Sequence, residues 1–234
     1  MLASWPVGAS GGEVSGEGGR LCRRSWAAAA AREQTSTLPA AHQDSDHTAR
    51  MSQRPTAEQL RAAVDRLLPD VVDRDLAVLL VGINPGLYSA AIGHHFGRPG
   101  NRFWKVLAGA GFTPQLLTPD QDQTLPRYGL GVTNLVARTT ARAEELTPSE
   151  LWEGAARLEQ KVRHHTPRVV AILGVSAYRS AFRRPKASLG LQTESLAGAA
   201  LWVLPNPSGL NAHHQLPDLT RLFAALRAFA FAPA

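Results

Sequence analysis

Leu76-Ala77-Val78-Leu79-Leu80-Val81 leads without a break into Gly82-Ile83-Asn84-Pro85-Gly86. A short apolar run without alternation is the pattern of a strand buried on both faces, as in a parallel sheet. Pro85 and Gly86 forbid its continuation, because proline lacks a ladder donor and glycine favours turn conformations. Asn84 is thus left as a polar amide at the carboxyl end of a buried strand. In open α/β sheets that is where ligands sit.

Working outward, residues 131–136, 169–173 and 201–204 repeat the strand pattern, with 76–81 as the first of four. A second turn of the same kind, Asn206-Pro207-Ser208-Gly209-Leu210, follows the last of them. Helical patterns alternate with the strands. Thr147-Pro148-Ser149-Glu150 is a capping box with proline at the first helical position. Behind it Leu151, Ala155, Leu158 and Val162 recur at helical spacing, with Glu153/Arg157 and Glu159/Arg163 as i,i+4 pairs on the outer face. Further helices are expected over 101–110, burying Phe103 and Val106 or Leu107, and after Ser176. A last one carries Leu219, Leu222, Phe223, Leu226 and Phe229 on one stripe, and an amphipathic start covers 59–68. Strand–helix alternation implies a three-layer α/β/α domain with a mainly parallel central sheet.

Composition divides the chain. Residues 1–50 are rich in Gly, Ala, Ser and Thr and poor in large aliphatics. They cannot bury enough surface to offset ordering entropy, so 1–52 is expected to be a disordered tail, and 53–234 the folded domain. Translation starting at Met51 is a further expectation, since the amphipathic segment follows it closely. The tail holds five basic and five acidic groups. The net charge of +6 therefore rests on residues 51–234, as 20 basic against 14 acidic. Such a surface suits a polyanionic partner. The tail lacks the continuous apolar core of a secretory signal, and no run reaches the roughly 18 apolar residues of a membrane span. No membrane partner is expected, and the location expected is intracellular, in cytoplasm or nucleoid.

The one cysteine, Cys22, excludes an internal disulfide. The pairs His94-His95, His164-His165 and His213-His214 lack the Glu and spaced-His pattern of a metal site, so no metal and no cofactor is expected. The Pro- and Gln-rich stretch 111–128 reads as a solvated insertion in preference to a functional loop. The densest basic stretch, 179–194, reads either as a solvated helix end and loop or as a phosphate contact.

Several blocks appear together in order. The first turn continues as Leu87-Tyr88-Ser89-Ala90, Gly93-His94-His95-Phe96 and Pro99-Gly100-Asn101-Arg102-Phe103-Trp104. Then come Gly131-Val132-Thr133-Asn134-Leu135-Val136, Arg138-Thr139-Thr140 and the second turn. In this combination the chain, from about Leu76 to Phe229, resembles the mismatch-specific uracil/thymine DNA glycosylase family. The resemblance implies a uracil-DNA glycosylase-like fold and a monofunctional enzyme. Its expected substrate is uracil, with thymine or modified cytosine as further candidates, in double-stranded DNA carrying a G·U or G·T mismatch. A monomer is expected. The single cysteine excludes the relatives that hold a thiolate-ligated iron–sulfur cluster.

The resemblance also assigns residues. Asn84 matches the residue that positions the attacking water, a role suited to an amide because it both donates and accepts hydrogen bonds. The segment from Gly86 to Ala91 matches the backbone donors for charge on the leaving base. Phe96 matches the aromatic on which the flipped pyrimidine stacks, Asn134 a reader of the base edge, and Thr140 a supporting neighbour. Ser89 lies beside the base, and His95 is either a pocket neighbour or a satisfied structural histidine. At the second turn Leu210 matches the wedge that fills the gap left by an extruded base. Around it Asn206, Ser208, Gly209 and Asn211 match strand contacts.

Two positions depart from the family pattern: Ala137 stands where relatives often carry an acid, and Ala212 where they often carry Arg. A lesion- or abasic-site-binding protein with little turnover is the competing reading. A Rossmann-type nucleotide-binding enzyme is disfavoured, because no Gly-x-Gly-x-x-Gly or Gly-Lys-Ser/Thr loop follows the first strand.

Overall fold

The computed structural model describes residues 54–209 and 211–233. The expectations for residues 1–52, including the start at Met51, and for Leu210 fall outside the described residues. Five strands form one sheet: β1 (Val78–Gly82), β2 (Leu130–Asn134), β3 (Val169–Leu173), β4 (Gly190–Leu196) and β5 (Ala199–Leu204). Their order is β2-β1-β3-β5-β4, with the first four parallel and β4 antiparallel to β5. The chain leaves β1 toward one side, to β2, and then crosses to β3 on the other. The β1/β3 boundary is thus a topological switch point, where the strand ends splay and leave a crevice.

β1 and β3 are buried at every residue, as the unbroken apolar runs imply. Val78 and Leu80 enter one core, and Leu79 and Val81 the other. Among the described residues are six α-helices: α1 (Ala57–Ala62), α2 (Leu87–Ile92), α3 (Phe103–Gly109), α4 (Pro148–His165), α5 (Val175–Ala181) and α6 (Leu216–Ala230). Helices α3 and α6 pack on the first face, α4 and α5 on the second, which is the expected three-layer domain. Each fully buried aliphatic side chain in these layers contributes roughly 1.5–3 kcal/mol. The Thr147 capping box opens α4, and both i,i+4 ion pairs are present.

Four expectations need correction. The stretch 111–128 is not a solvated insertion: a 3-10 helix, Pro119–Tyr128, runs through it, and Phe112, Leu117, Asp122 and Leu125 are buried. The stretch 179–194 is not only a helix end and loop, because its last residues form β4. Ala197 and Gly198, both at positive φ, turn β4 into β5 as a two-residue hairpin. The amphipathic start over 59–68 shortens to α1, because Asp65 takes a left-handed conformation and the chain turns there. The stripe of α6 is Leu219, Phe223, Leu226 and Ala230; Phe229 is 36% exposed and stands outside it.

Candidate active site

A cleft of about 350 Å³ opens at the carboxyl ends of the parallel strands. Each of the four contributes: Asn134 from β2, Gly82 to Gly86 from β1 and its turn, Leu173 from β3 and Asn206 beyond β5. The volume lies at the small end of the roughly 300–1,000 Å³ typical of ligand sites. Of the residues assigned from sequence, Asn84, Gly86, Ser89, His95, Phe96, Asn134, Thr140, Asn206, Ser208 and Asn211 line it together.

The first turn is held as an extension of the sheet. Leu135 and Val136 donate to the carbonyls of Gly82 and Ile83, and Thr140 donates to Pro85. Asn84 Nδ2 donates to the backbone oxygen of Arg138 (3.0 Å) and to Thr140 Oγ1 (2.7 Å). These partners fix the amide's orientation. A carbonyl only accepts, and Thr140 Oγ1 spends its own hydrogen on Arg142 O (2.7 Å). Both N–H groups of Asn84 are therefore tied to protein. Its Oδ1 accepts no hydrogen bond from a described residue and is the atom the amide can offer to a ligand.

Arg138 is tied down in turn by Glu150, with Nε to Oε1 at 2.8 Å. The hydrogen bond from Arg138, with two more from Thr147, holds the Glu150 carboxyl down at about 2. Thus the capping acid of α4 steadies the peptide that orients Asn84.

Phe96 forms the opposite kind of wall. Its ring stacks on Phe103 with centroids 3.8 Å apart and planes 15° from parallel. It sits at φ 51°, a left-handed conformation uncommon for an aromatic residue. The flanking turn is stapled: Gly97 N–H donates to Ser89 Oγ (3.0 Å), and buried Asp122 accepts from His95 N–H (3.0 Å) and meets His94 Nδ1 (3.2 Å). Ser89 thus spends its hydroxyl oxygen on the turn. His95 is 2% exposed, and its Nε2 lies 2.9 Å from Pro69 O, which requires a proton on Nε2. Burial pushes its pKa below the ordinary value, so the neutral ring is favoured. His95 is thus a buried, hydrogen-bonded histidine among the residues that line the cleft.

Asn134 ends β2 directly across from Gly82. A Cβ at Gly82 would lie 2.5 Å from Asn134 Oδ1 and 3.6 Å from the Phe96 ring, so glycine there lets the amide lie across the strand end. No described residue hydrogen-bonds the Asn134 side chain, which leaves a donor and an acceptor for a ligand's polar edge. Arg98, Arg142 and Glu144 reach the rim; Glu144 is the one carboxylate among the described lining residues. The sequence pattern singles out none of these three: Arg98 lies in a loop, Arg142 caps a three-residue 3-10 helix, Ala143–Glu145, and Glu144 lies within it.

The second turn is built differently. Asn206 Oδ1 accepts from Ser208 N–H (2.9 Å), and Asn211 Nδ2 donates to Asn206 O (3.0 Å). A Cβ on Gly209 would stand 2.6 Å from Gly100 O, so only glycine allows the two backbones to approach this closely. In the basic stretch, Arg179 bonds Ala187 O, Arg184 pairs with Glu194, and Arg183 lies over the Trp152 ring. Three of its four cations are therefore engaged with the protein itself.

The uracil DNA glycosylase superfamily model matches residues 69–229, more than half of the chain. The chain belongs to that superfamily. Membership carries the coarse activity with it: a DNA glycosylase, a hydrolase acting on uracil in DNA. The chain is also similar to a solution NMR structure of a candidate uracil DNA glycosylase from Methanosarcina acetivorans. Identity is 19%, the TM-score is 0.48, and the match covers 70% of this chain and 99% of the other.

Proposed function

We propose that this superfamily member is a monofunctional, mismatch-specific glycosylase that hydrolyses the N-glycosidic bond of uracil, and of thymine at lower rate, in G·U and G·T duplex DNA. The observation that carries the reading is Asn84, with its two N–H groups committed to Arg138 and Thr140 and its Oδ1 left for a water molecule at the cleft wall. Deglycosylation proceeds through an oxocarbenium-like sugar and an anionic base. The water need only be oriented, and an amide oxygen suffices for that. Phe96, backed by Phe103, is the platform for the extruded pyrimidine, and Asn134 is the reader of its edge. The base departs as an anion toward the amides that follow Gly86, where preorganised donors act most strongly in a water-poor site.

Mismatch preference follows from energetics. Extrusion costs a few kcal/mol, and least where pairing is already weak. A single-turnover excision panel tests this, with uracil and thymine opposite guanine, uracil opposite adenine, and uracil in a single strand. The expected order is G·U first, then G·T. Equal rates for G·U and A·U would remove mismatch specificity. Tight binding to G·U duplex without alkali-labile sites would instead identify a lesion-binding protein.

A further inference from the structure

Arg102 has no task in the reaction just proposed, yet no other side chain in the described residues is bonded as it is. Its Nε donates to Pro207 O (3.3 Å), its Nη1 to His214 O (2.5 Å), and its Nη2 to Ser208 O (2.6 Å) and Asn211 O (3.0 Å). Its backbone N–H adds another bond to Pro207 O (3.0 Å). All four acceptors are main-chain carbonyls of the loop between β5 and α6, in residues 207–214. A guanidinium presents five N–H groups in a rigid planar fork. Here that fork is fitted to a loop rather than to a carboxylate. Among the described residues no acid pairs with Arg102, so its charge remains on this loop. Gly100, two residues earlier, meets Gly209 of the same loop at the close approach described above. The segment 100–102 thus grips the second turn at two points.

We propose that Arg102 is a positioning residue for base extrusion: it holds the second turn in its insertion shape before DNA arrives. The inference rests on the reading of this protein as a duplex-acting glycosylase. Ordering a loop during binding is costly, and a loop ordered in advance avoids that cost when the helix is entered. Without the fork, water can hydrate the four carbonyls, so the fold survives while the loop samples other shapes. Extrusion then slows, while the chemistry at Asn84 and general affinity for duplex are spared.

The test uses Arg102→Lys, which keeps the charge and loses the fork. Stopped-flow fluorescence of 2-aminopurine beside uracil in a G·U duplex reads extrusion, and titration with an undamaged duplex reads general affinity. For the variant, extrusion should slow about tenfold or more, with undamaged-duplex affinity within about threefold of wild type. Asn84→Ala should extrude normally and fail to cleave. Wild-type extrusion by Arg102→Lys, or equal losses in extrusion and undamaged-duplex affinity, would overturn the assignment. If Arg102→Lys does not fold, Arg102→Gln decides: it keeps an amide donor and loses the charged fork, so selective loss of extrusion supports the proposal and wild-type extrusion refutes it. No fluorescence change with wild-type protein defeats the glycosylase reading, and the role of Arg102 with it.

Discussion

Where the first turn leaves β1, three backbone hydrogen bonds carry the ladder on past the strand, and a side-chain amide is tied at two further points. Where the second turn leaves β5, no ladder continues, and four carbonyls converge on one guanidinium from α3's start. The first arrangement is redundant and belongs to the sheet. Besides local bonds of Asn206 and Asn211, the second is held from the segment 100–102, where one guanidinium more than a hundred residues away in sequence takes four of its carbonyls. The contrast matches two tasks. Chemistry needs one atom held within a fraction of an ångström, and an extension of a buried sheet supplies that. On the proposed mechanism, entry into a duplex needs a loop of defined shape.

Breaking the first turn should abolish cleavage and spare binding. Asn84→Ala is expected to lower single-turnover cleavage of G·U duplex by about 10²–10³-fold, the range for loss of one preorganised transition-state group. Gel-shift affinity for the same duplex should be retained, and loss of both would erase the contrast. Breaking the second turn should act the other way. Leu210→Ala should reduce excision from duplex about tenfold relative to single-stranded uracil, because the unstacking cost of a few kcal/mol exists only in the duplex. Equal losses would refute a duplex-opening role.

Thr140→Val sharpens the first half. It leaves one N–H of Asn84 without its acceptor, a defect of about 1–3 kcal/mol, and should lower kcat about tenfold with KM little changed. Thr140→Ser should restore the rate; a silent valine variant would show that Arg138 O alone orients the amide.

The smallest effect expected is on pH dependence. His95 has a folded pKa below its ordinary 6.5, so the unfolded chain binds more protons in that window. Its contribution is present above pH 6.5 and is lost as pH falls below it. The carboxyl of Glu150, ordinarily 4.5 and held at about 2, adds a second loss as pH falls through that lower range. Urea midpoints should therefore decline in two stages on acidification, and His95→Gln should remove only the upper one.

Much of this was legible in the chain. Strands buried on both faces announce themselves as unbroken apolar runs, and α4 carries its capping box and surface pairs in plain sight. β4 hid because Gln192, Thr193, Glu194 and Ser195 are polar and the strand is half exposed on an edge. The 3-10 helix hid because its buried residues, Asp122 and Leu125, fall three apart, too few to show a period. Asn84, Phe96 and Asn134 were found through motif resemblance, and the structure brings them to one cleft. Arg102 lay inside a quoted motif, yet its importance was invisible, since nothing local predicts a partner loop so distant. Asp122, which braces the Phe96 turn, was hidden for the same reason, whereas Glu150 was legible as the capping acid of α4 and only its bond to Arg138 was not.

The commitment of both Asn84 hydrogens to protein has a kinetic consequence. An amide is no general acid, and one so engaged cannot share a hydrogen bond with the leaving base either, so on the proposed mechanism the departing pyrimidine carries off its full negative charge. Excision rates across ring-substituted uracils should then follow a steep Brønsted line against the N1 acidity of the free base, with electron-withdrawing substituents accelerating release.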